Sequence, residues 1–221
     1  MELDEVMRTT FAAREHRDDP VDDAVLHRIL DAARFAASGG NRQPWRVIVV
    51  REDATRAALA PLILPSFRRY VAQRRAGEAP FNPVRPSRIT EAEVAAVTAD
   101  EAQIRWLTRA PVLLFVFLDL SQVAALDADR APCAVIPGAS IYPFVWNILL
   151  AARSEGLGGV LTTFVGAEQD ALRALLAVPE PFAFAAMIPL GVPVKQLTKL
   201  GRRPVEAFAT LERFDGPPLA P

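Results

Sequence analysis

A single cysteine, Cys133, stands in 221 residues. It has no partner in the chain, so an internal disulfide is excluded, and no C-x-x-C pair or Cys/His cluster offers a metal site. Histidine is nearly as scarce. His16 and His27 both fall in the first thirty residues, too few and too close together for a Ser-His-Asp triad or a His-ligated zinc centre. No apolar run approaches the ~18 residues of a membrane span. The opening MELDEVMRTT carries Glu2, Asp4 and Glu5 where a secretory signal needs a basic and then an apolar stretch. A net charge of −1 gives no field to attract nucleic acid or anionic lipid. The expected protein is cytoplasmic, with neither a membrane nor a nucleic acid among its partners.

Nucleotide and nucleophile motifs are missing too. No P-loop is present. Gly156-Leu157-Gly158-Gly159 lacks the last glycine of a dinucleotide fingerprint and follows a helix rather than a strand. Gly138-Ala139-Ser140-Ile141-Tyr142 starts like a nucleophile elbow but ends in Tyr where a glycine is required. With so few candidate acids, bases and nucleophiles, any chemistry is expected to be carried by a cofactor, and no catalytic side chain is assigned.

What remains is a chain with 51% hydrophobic and 23% charged residues, the balance of a globular protein with a sizeable core. No repeat or linker divides it, so residues 1–221 read as one domain with an extended C-terminal arm from about 195. Leu3 to Ala13 reads as a helix with Leu3, Val6 and Met7 on its apolar side. Asp22 is a candidate N-cap for a helix in which Val25, Leu26, Ile29, Leu30, Ala33 and Ala36 recur at threes and fours, stopped by Gly39 and Gly40. Arg46 to Arg51 reads as a strand. A third helix follows Asp53, and SFRRYVAQRRAG adds a basic turn or helix whose Arg68, Arg69, Arg74 and Arg75 read as a solvated face. Thr90 and Glu93 have capping-box spacing, with a helix expected to about Leu107. Val112 to Leu118 is apolar throughout, as in a central strand covered on both faces. Ser140 to Gly156 reads as a helix, Val160 to Thr163 as a strand, Asp170 to Leu176 as a helix, Phe182 to Leu190 as a strand, and Val205 to Thr210 as a short helix. Helices on a sheet make an α/β or α+β sandwich. Trp45, Trp106 and Trp146 read as core residues, with Trp106 and Phe67 as further candidates for shaping a pocket.

Three groups of residues exceed what turns and surfaces need. They are Arg14 after the first helix, the loop AASGGNRQPW at Ala36–Trp45, and Arg202-Arg203-Pro204 preceded by Lys199. A flavin mononucleotide would use such a set. Its phosphate suits Arg, its flat ring needs small residues nearby, and its amide-like edge matches Asn and Gln. A surface ion pair remains the plain alternative for each Arg.

AASGGNRQPW resembles the A-P-S-x-x-N-x-Q-P-W signature of the FMN-dependent nitroreductase family. The helix end Trp146 to Gly158, and Pro189-Leu190-Gly191-Val192-Pro193 followed by Arg202-Arg203-Pro204, are similar to two further segments of that family. The resemblance implies an α+β fold with a mixed, mainly antiparallel sheet flanked by helices, forming an interlocked homodimer that holds FMN between subunits. NADPH or NADH would be the electron donor, and a small-molecule acceptor would follow it onto the same face. It also implies cofactor-binding roles. Arg14 would meet the ring or ribityl chain. Ser38, Gly39, Gly40, Asn41 and Gln43 would reach over from the partner subunit. Thr162 and Thr163 would cover the far face, and Arg202 with Arg203 would take the phosphate. There are departures. Thr10 and Ala12 stand where the family often has Arg and Ser, Ala37 replaces the loop proline, and the family's phosphate Lys aligns with Leu200, next to Lys199. Dehalogenation, flavin breakdown, or flavin binding without turnover are alternatives within the same fold.

Overall fold

The computed structural model describes residues 1–221, and its centre is strand β2 (Val112–Asp119). Val112 to Leu118 are all buried. β2 pairs with β1 (Trp45–Val50) on one side and β4 (Phe182–Gly191) on the other, and the two-residue β3 (Gly158–Gly159) extends the sheet beyond β4. All three pairings are antiparallel. A single bridge between Ala12 and Gly159 runs parallel. The fold is thus α+β with a sheet flanked by helices.

The apolar run of β2 serves two cores because successive strand side chains point to opposite faces. Val112, Leu114, Val116 and Leu118 join a layer with helices α2 (Asp23–Ala33) and α6 (Tyr142–Ser154). Leu113, Phe115 and Phe117 join the opposite layer, with α3 (Asp53–Arg75), α5 (Glu101–Thr108) and α7 (Gln169–Leu175). A bulge between Val116 and Phe117 interrupts the pairing with β4 but keeps this division.

Several elements differ from the sequence expectation for local reasons. Helix α1 (Leu3–Thr9) stops short of Ala13. The Thr9 and Thr10 hydroxyls donate to the Glu5 and Val6 carbonyls at 2.7 Å, and the following residues join the sheet instead. Ala13 N–H donates to Gly159 O, and Arg17 N–H donates to Val192 O. Of its three apolar residues only Val6 is buried, while Leu3 and Met7 are exposed. Asp22 makes no side-chain cap, and α2 ends at Ala33, before the glycines. Helix α3 runs unbroken through Pro61 and Pro65 into the basic segment. Tertiary packing of Leu59, Ala60 and Ile63 at no or little exposure overrides the proline penalty. The Thr90–Glu93 capping box forms, but its helix α4 (Glu91–Ala95) is one short piece. The chain unwinds to bury Val97 and Ala99 against Ala72, and Asp100 caps α5 afresh by accepting from Gln103 N–H. The strand expected at Val160–Thr163 is reduced to β3 and a separate bridge from Thr162 to Met187. Only a 3-10 turn, Val205–Ala207, marks the expected C-terminal helix. No helix is long and apolar enough to cross a membrane.

Phe115 has no exposed surface and lies in the strand shared by both cores. Phe115→Ala is expected to cost about 3–5 kcal/mol, read as a lower midpoint in urea unfolding. A loss under about 1 kcal/mol would show that this layer is loosely packed.

Candidate functional site

Arg14 owes its position to the extended run that follows α1. With Ala13 tied to Gly159, its side chain faces a cavity of about 610 Å³ lined also by Val160, Leu161, Thr162 and Thr163. That volume lies in the range of small-ligand sites. The Val160–Thr163 backbone forms one wall and is fixed to the sheet. Thr162 N–H donates to Met187 O, and Met187 N–H donates to Thr162 O, both at 2.9 Å. Thr162 is buried and Thr163 exposed at the rim. Gly159 precedes this wall, where a Cβ would stand 2.7 Å from Pro189 O. Only glycine lets the two chains approach so closely there.

The other walls are aromatic. Tyr70, Phe81, Trp106 and Phe164 line the cavity. The Arg14 guanidinium carbon lies 5.4 Å from the centroid of the Trp106 ring, a cation–π contact. Trp106 and Tyr70 pack edge-on against Phe164. Trp106 is therefore a cavity residue, whereas Trp45 stacks on Phe144 at 4.5 Å within the core and Trp146 is exposed. Phe67 contacts Phe164 from behind and does not line the cavity. Tyr70 and Phe81 were not legible as site residues. Tyr70 follows Ser66 by one helical turn, and both line the cavity, a spacing that could have paired them. Phe81 sits in an irregular Pro-rich stretch, with φ 52° and its N–H donated to the Gln73 side chain.

The loop at residues 38–43 lies elsewhere on the chain. Gly39 N–H donates to Ser140 Oγ at 3.1 Å, Gln43 N–H donates to Ser38 Oγ at 3.0 Å, and Gln43 Nε2 donates to Asn41 Oδ1 at 3.2 Å. Gly40, Asn41 and Gln43 all have left-handed φ, 59°, 52° and 50°. Glycine and asparagine tolerate this and glutamine less so, so the loop holds local backbone strain. Apart from half-buried Ser38 these residues are exposed, and none lines the Arg14 cavity.

Arg202 forms a third location. It lines a shallow cavity of about 570 Å³ with Lys199, Leu200, Thr198 and the α1 residues Asp4, Met7 and Arg8. Arg8 Nε contacts both Asp4 carboxylate oxygens, at 2.9 and 2.8 Å, which leaves Lys199 and Arg202 without a carboxylate partner. Arg14, Arg202 and Arg203 form no ion pair. Arg203 is exposed and outside that cavity. One chain thus distributes the ten candidate residues over three surfaces and joins only Arg14, Thr162 and Thr163.

A cavity lined by Arg14, the Val160–Thr163 segment and aromatic rings within an α+β sandwich is the candidate ligand site. The chain belongs to the nitroreductase family, whose model matches residues 7–192. It is similar to a 5,6-dimethylbenzimidazole synthase of Rhodobacter capsulatus, at 31% identity over 86% of this chain and 83% of the relative. It is also similar to an NADH dehydrogenase of Thermus thermophilus, at 32% identity over 87% of each chain. A crystal structure of a nitroreductase with bound FMN from Desulfitobacterium hafniense DCB-2 shares the fold, with a TM-score of 0.62 and 20% identity over 92% of this chain and 95% of that one.

His16 closes the run that carries Arg14. Its Nε2 lies 3.1 Å from Gly158 O. Burial pushes its pKa below the ordinary 6.5, partly offset by the hydrogen bond to Gly158. The unfolded chain therefore takes up this proton at higher pH than the folded one, and stability that is complete above 6.5 is lost as pH falls below it. A plot of unfolding free energy against pH should decline below 6.5, and His16→Gln should flatten that part of the decline. An unchanged slope in His16→Gln would assign it to other groups.

Proposed function

We propose that the protein is an FMN-dependent oxidoreductase that works as a homodimer. Electrons pass from NADH or NADPH to an oxidised small-molecule acceptor, such as a nitroaromatic or a quinone. The observation that carries this reading is the distribution of the ligand-ready groups. Arg14 and the Val160–Thr163 wall share one cavity, while the strained 38–43 loop lies largely exposed on a separate surface. A second copy can bring that loop to this cavity. Exposed apolar residues offer it a contact surface, with Tyr142 and Trp146 on α6 and Phe208 and Phe214 on the C-terminal arm. The exposed Cys133 and the lack of disulfides suit a reducing cytoplasm.

FMN, when bound, supplies the two-electron chemistry that no side chain here offers. Arg14 would hold a positive charge at the ring edge and so favour negative charge developing there. Thr162, pinned by its hydrogen bonds to Met187, would keep the slot flat, with Thr163 at its rim. From the partner, Ser38, Gly39 and Gly40 would allow close backbone approach, and Asn41 and Gln43 would pair with the ring's amide-like edge. Arg202, with Lys199 and Arg203 near it in sequence, would take the phosphate. Lys199, which lines the Arg202 cavity beside Leu200, would stand in for the family's phosphate Lys. Tyr70, Phe81 and Trp106 would bound the space where donor and acceptor alternate.

The similarity to a 5,6-dimethylbenzimidazole synthase favours a second reading, oxidative breakdown of the flavin itself. The dimethylbenzene ring in that product's name is also part of the flavin ring system. Supplying reduced FMN under oxygen and analysing the products separates the two readings, since simple turnover returns intact FMN.

The purified protein is expected to be yellow or to bind added FMN, and the bound flavin to bleach on anaerobic addition of NADH or NADPH. A colourless protein that takes up no FMN in titration would overturn the proposal. Arg202→Ala should weaken FMN binding about tenfold or more, with little change in melting temperature because Arg202 is exposed. Unchanged FMN affinity would place the phosphate elsewhere.

A further inference from the structure

The cavity beside Arg14 continues past Ser66 and Phe81. Both residues, with Ala167, also line an adjoining cavity of about 370 Å³. That second cavity carries four charged residues: Arg68, Arg69, Glu91 and Glu168. Two of them neutralise each other, since Arg69 Nη2 lies 2.5 Å from Glu91 Oε1. Arg68 is different. It is half-buried, its Nη2 donates to Ala99 O at 3.1 Å, and its Nε is shielded from solvent with no acceptor. No carboxylate lies within ion-pair distance of it. A guanidinium that lines the cavity with no carboxylate partner keeps its positive charge uncompensated, and an oxyanion in the cavity would compensate it by charge-assisted hydrogen bonding. Arg68 is thus not the solvated surface residue that its sequence setting implies.

We propose that the two cavities form one trough, in which Arg68 binds an oxyanion on the molecule whose planar body rests against Tyr70, Phe81 and Trp106. This rests on the flavin reading insofar as that molecule is an electron acceptor or donor. The oxyanion is either a carboxylate on the acceptor or a phosphate on the nucleotide donor, and the geometry suits both. Glu168, half-buried and without an ion pair, opposes it. Its negative charge sets a limit on how much anionic charge the trough accepts. Arg68 and Glu168 therefore act with opposite sign on the same ligand.

The test uses the full-length protein with FMN content measured for every preparation. 4-Nitrobenzoate and nitrobenzene serve as acceptors, and NADH and NADPH as donors. Arg68→Met should raise the KM for 4-nitrobenzoate about tenfold while leaving nitrobenzene unchanged. Arg68→Lys should retain part of the preference, and Glu168→Gln should lower the 4-nitrobenzoate KM. If Arg68→Met instead raises the KM of the nucleotide donors with nitrobenzene as acceptor, the oxyanion belongs to the donor. Equal losses with both acceptors at unchanged donor KM, or no change at all, would overturn the proposal. Titration with benzoate and benzyl alcohol keeps the question separate from flavin chemistry. Selective, Arg68-dependent benzoate binding supports the subsite even in protein that holds no FMN, and its absence together with unchanged donor KM values in Arg68→Met overturns it.

Discussion

Burial of β2 on both faces is the constraint on which the rest depends. A seven-residue apolar run at the middle of an antiparallel sheet cannot leave either face to water. Helices must therefore cover both sides, and they do so with two cores divided by the alternation of β2 side chains. The sheet edge at β3 then offers hydrogen bonds that the N-terminal run takes up, through Ala13 to Gly159 and His16 beside Gly158. Arg14 lies between those two anchors. The charge in the cavity is placed by main-chain pairing that begins at the core, and the guanidinium then meets the Trp106 ring.

The same logic explains why the candidate residues lie apart in one chain. The core fixes the Val160–Thr163 wall and Arg14, while the 38–43 loop is fixed to a different neighbour, Ser140, by the Gly39 hydrogen bond. Left-handed backbone at Gly40, Asn41 and Gln43 is costly to hold in an exposed loop. Exposed aromatic residues on α6 and the C-terminal segment accompany that strain, and the proposed dimer would give both a neighbour.

Much of this was legible in the sequence because it is local or periodic. The apolar run of β2 forms a strand, the threes and fours of α2 and α6 form helices, and the Thr90–Glu93 box closes, although α2 and the helix after the box end earlier than the pattern implies. The AASGGNRQPW string, with the Trp146–Gly158 helix end and the Pro189–Pro193 and Arg202–Pro204 segments, carries the resemblance to the family, whose model matches residues 7–192. What escaped depends on distant parts of the chain. The prolines of α3 are tolerated because Leu59 and Ile63 are packed by other elements. The break between α4 and α5 exists to bury Val97 and Ala99. Tyr70 and Phe81 reach the cavity only once α3 and the irregular loop after it are folded against the 3-10 turn at Phe164.

The central claim is that one site takes residues from two copies, and subunit complementation tests it most directly. One chain would carry Arg14→Ala, and the other Ser38→Ala with Asn41→Ala. Each variant alone should bind FMN weakly. Co-expressed and purified as a mixed dimer, they should recover one site of unaltered affinity for every two chains, because one interface then combines two intact halves. Mixed dimers that show only weakened sites would contradict the account, since every group would then have to come from a single chain.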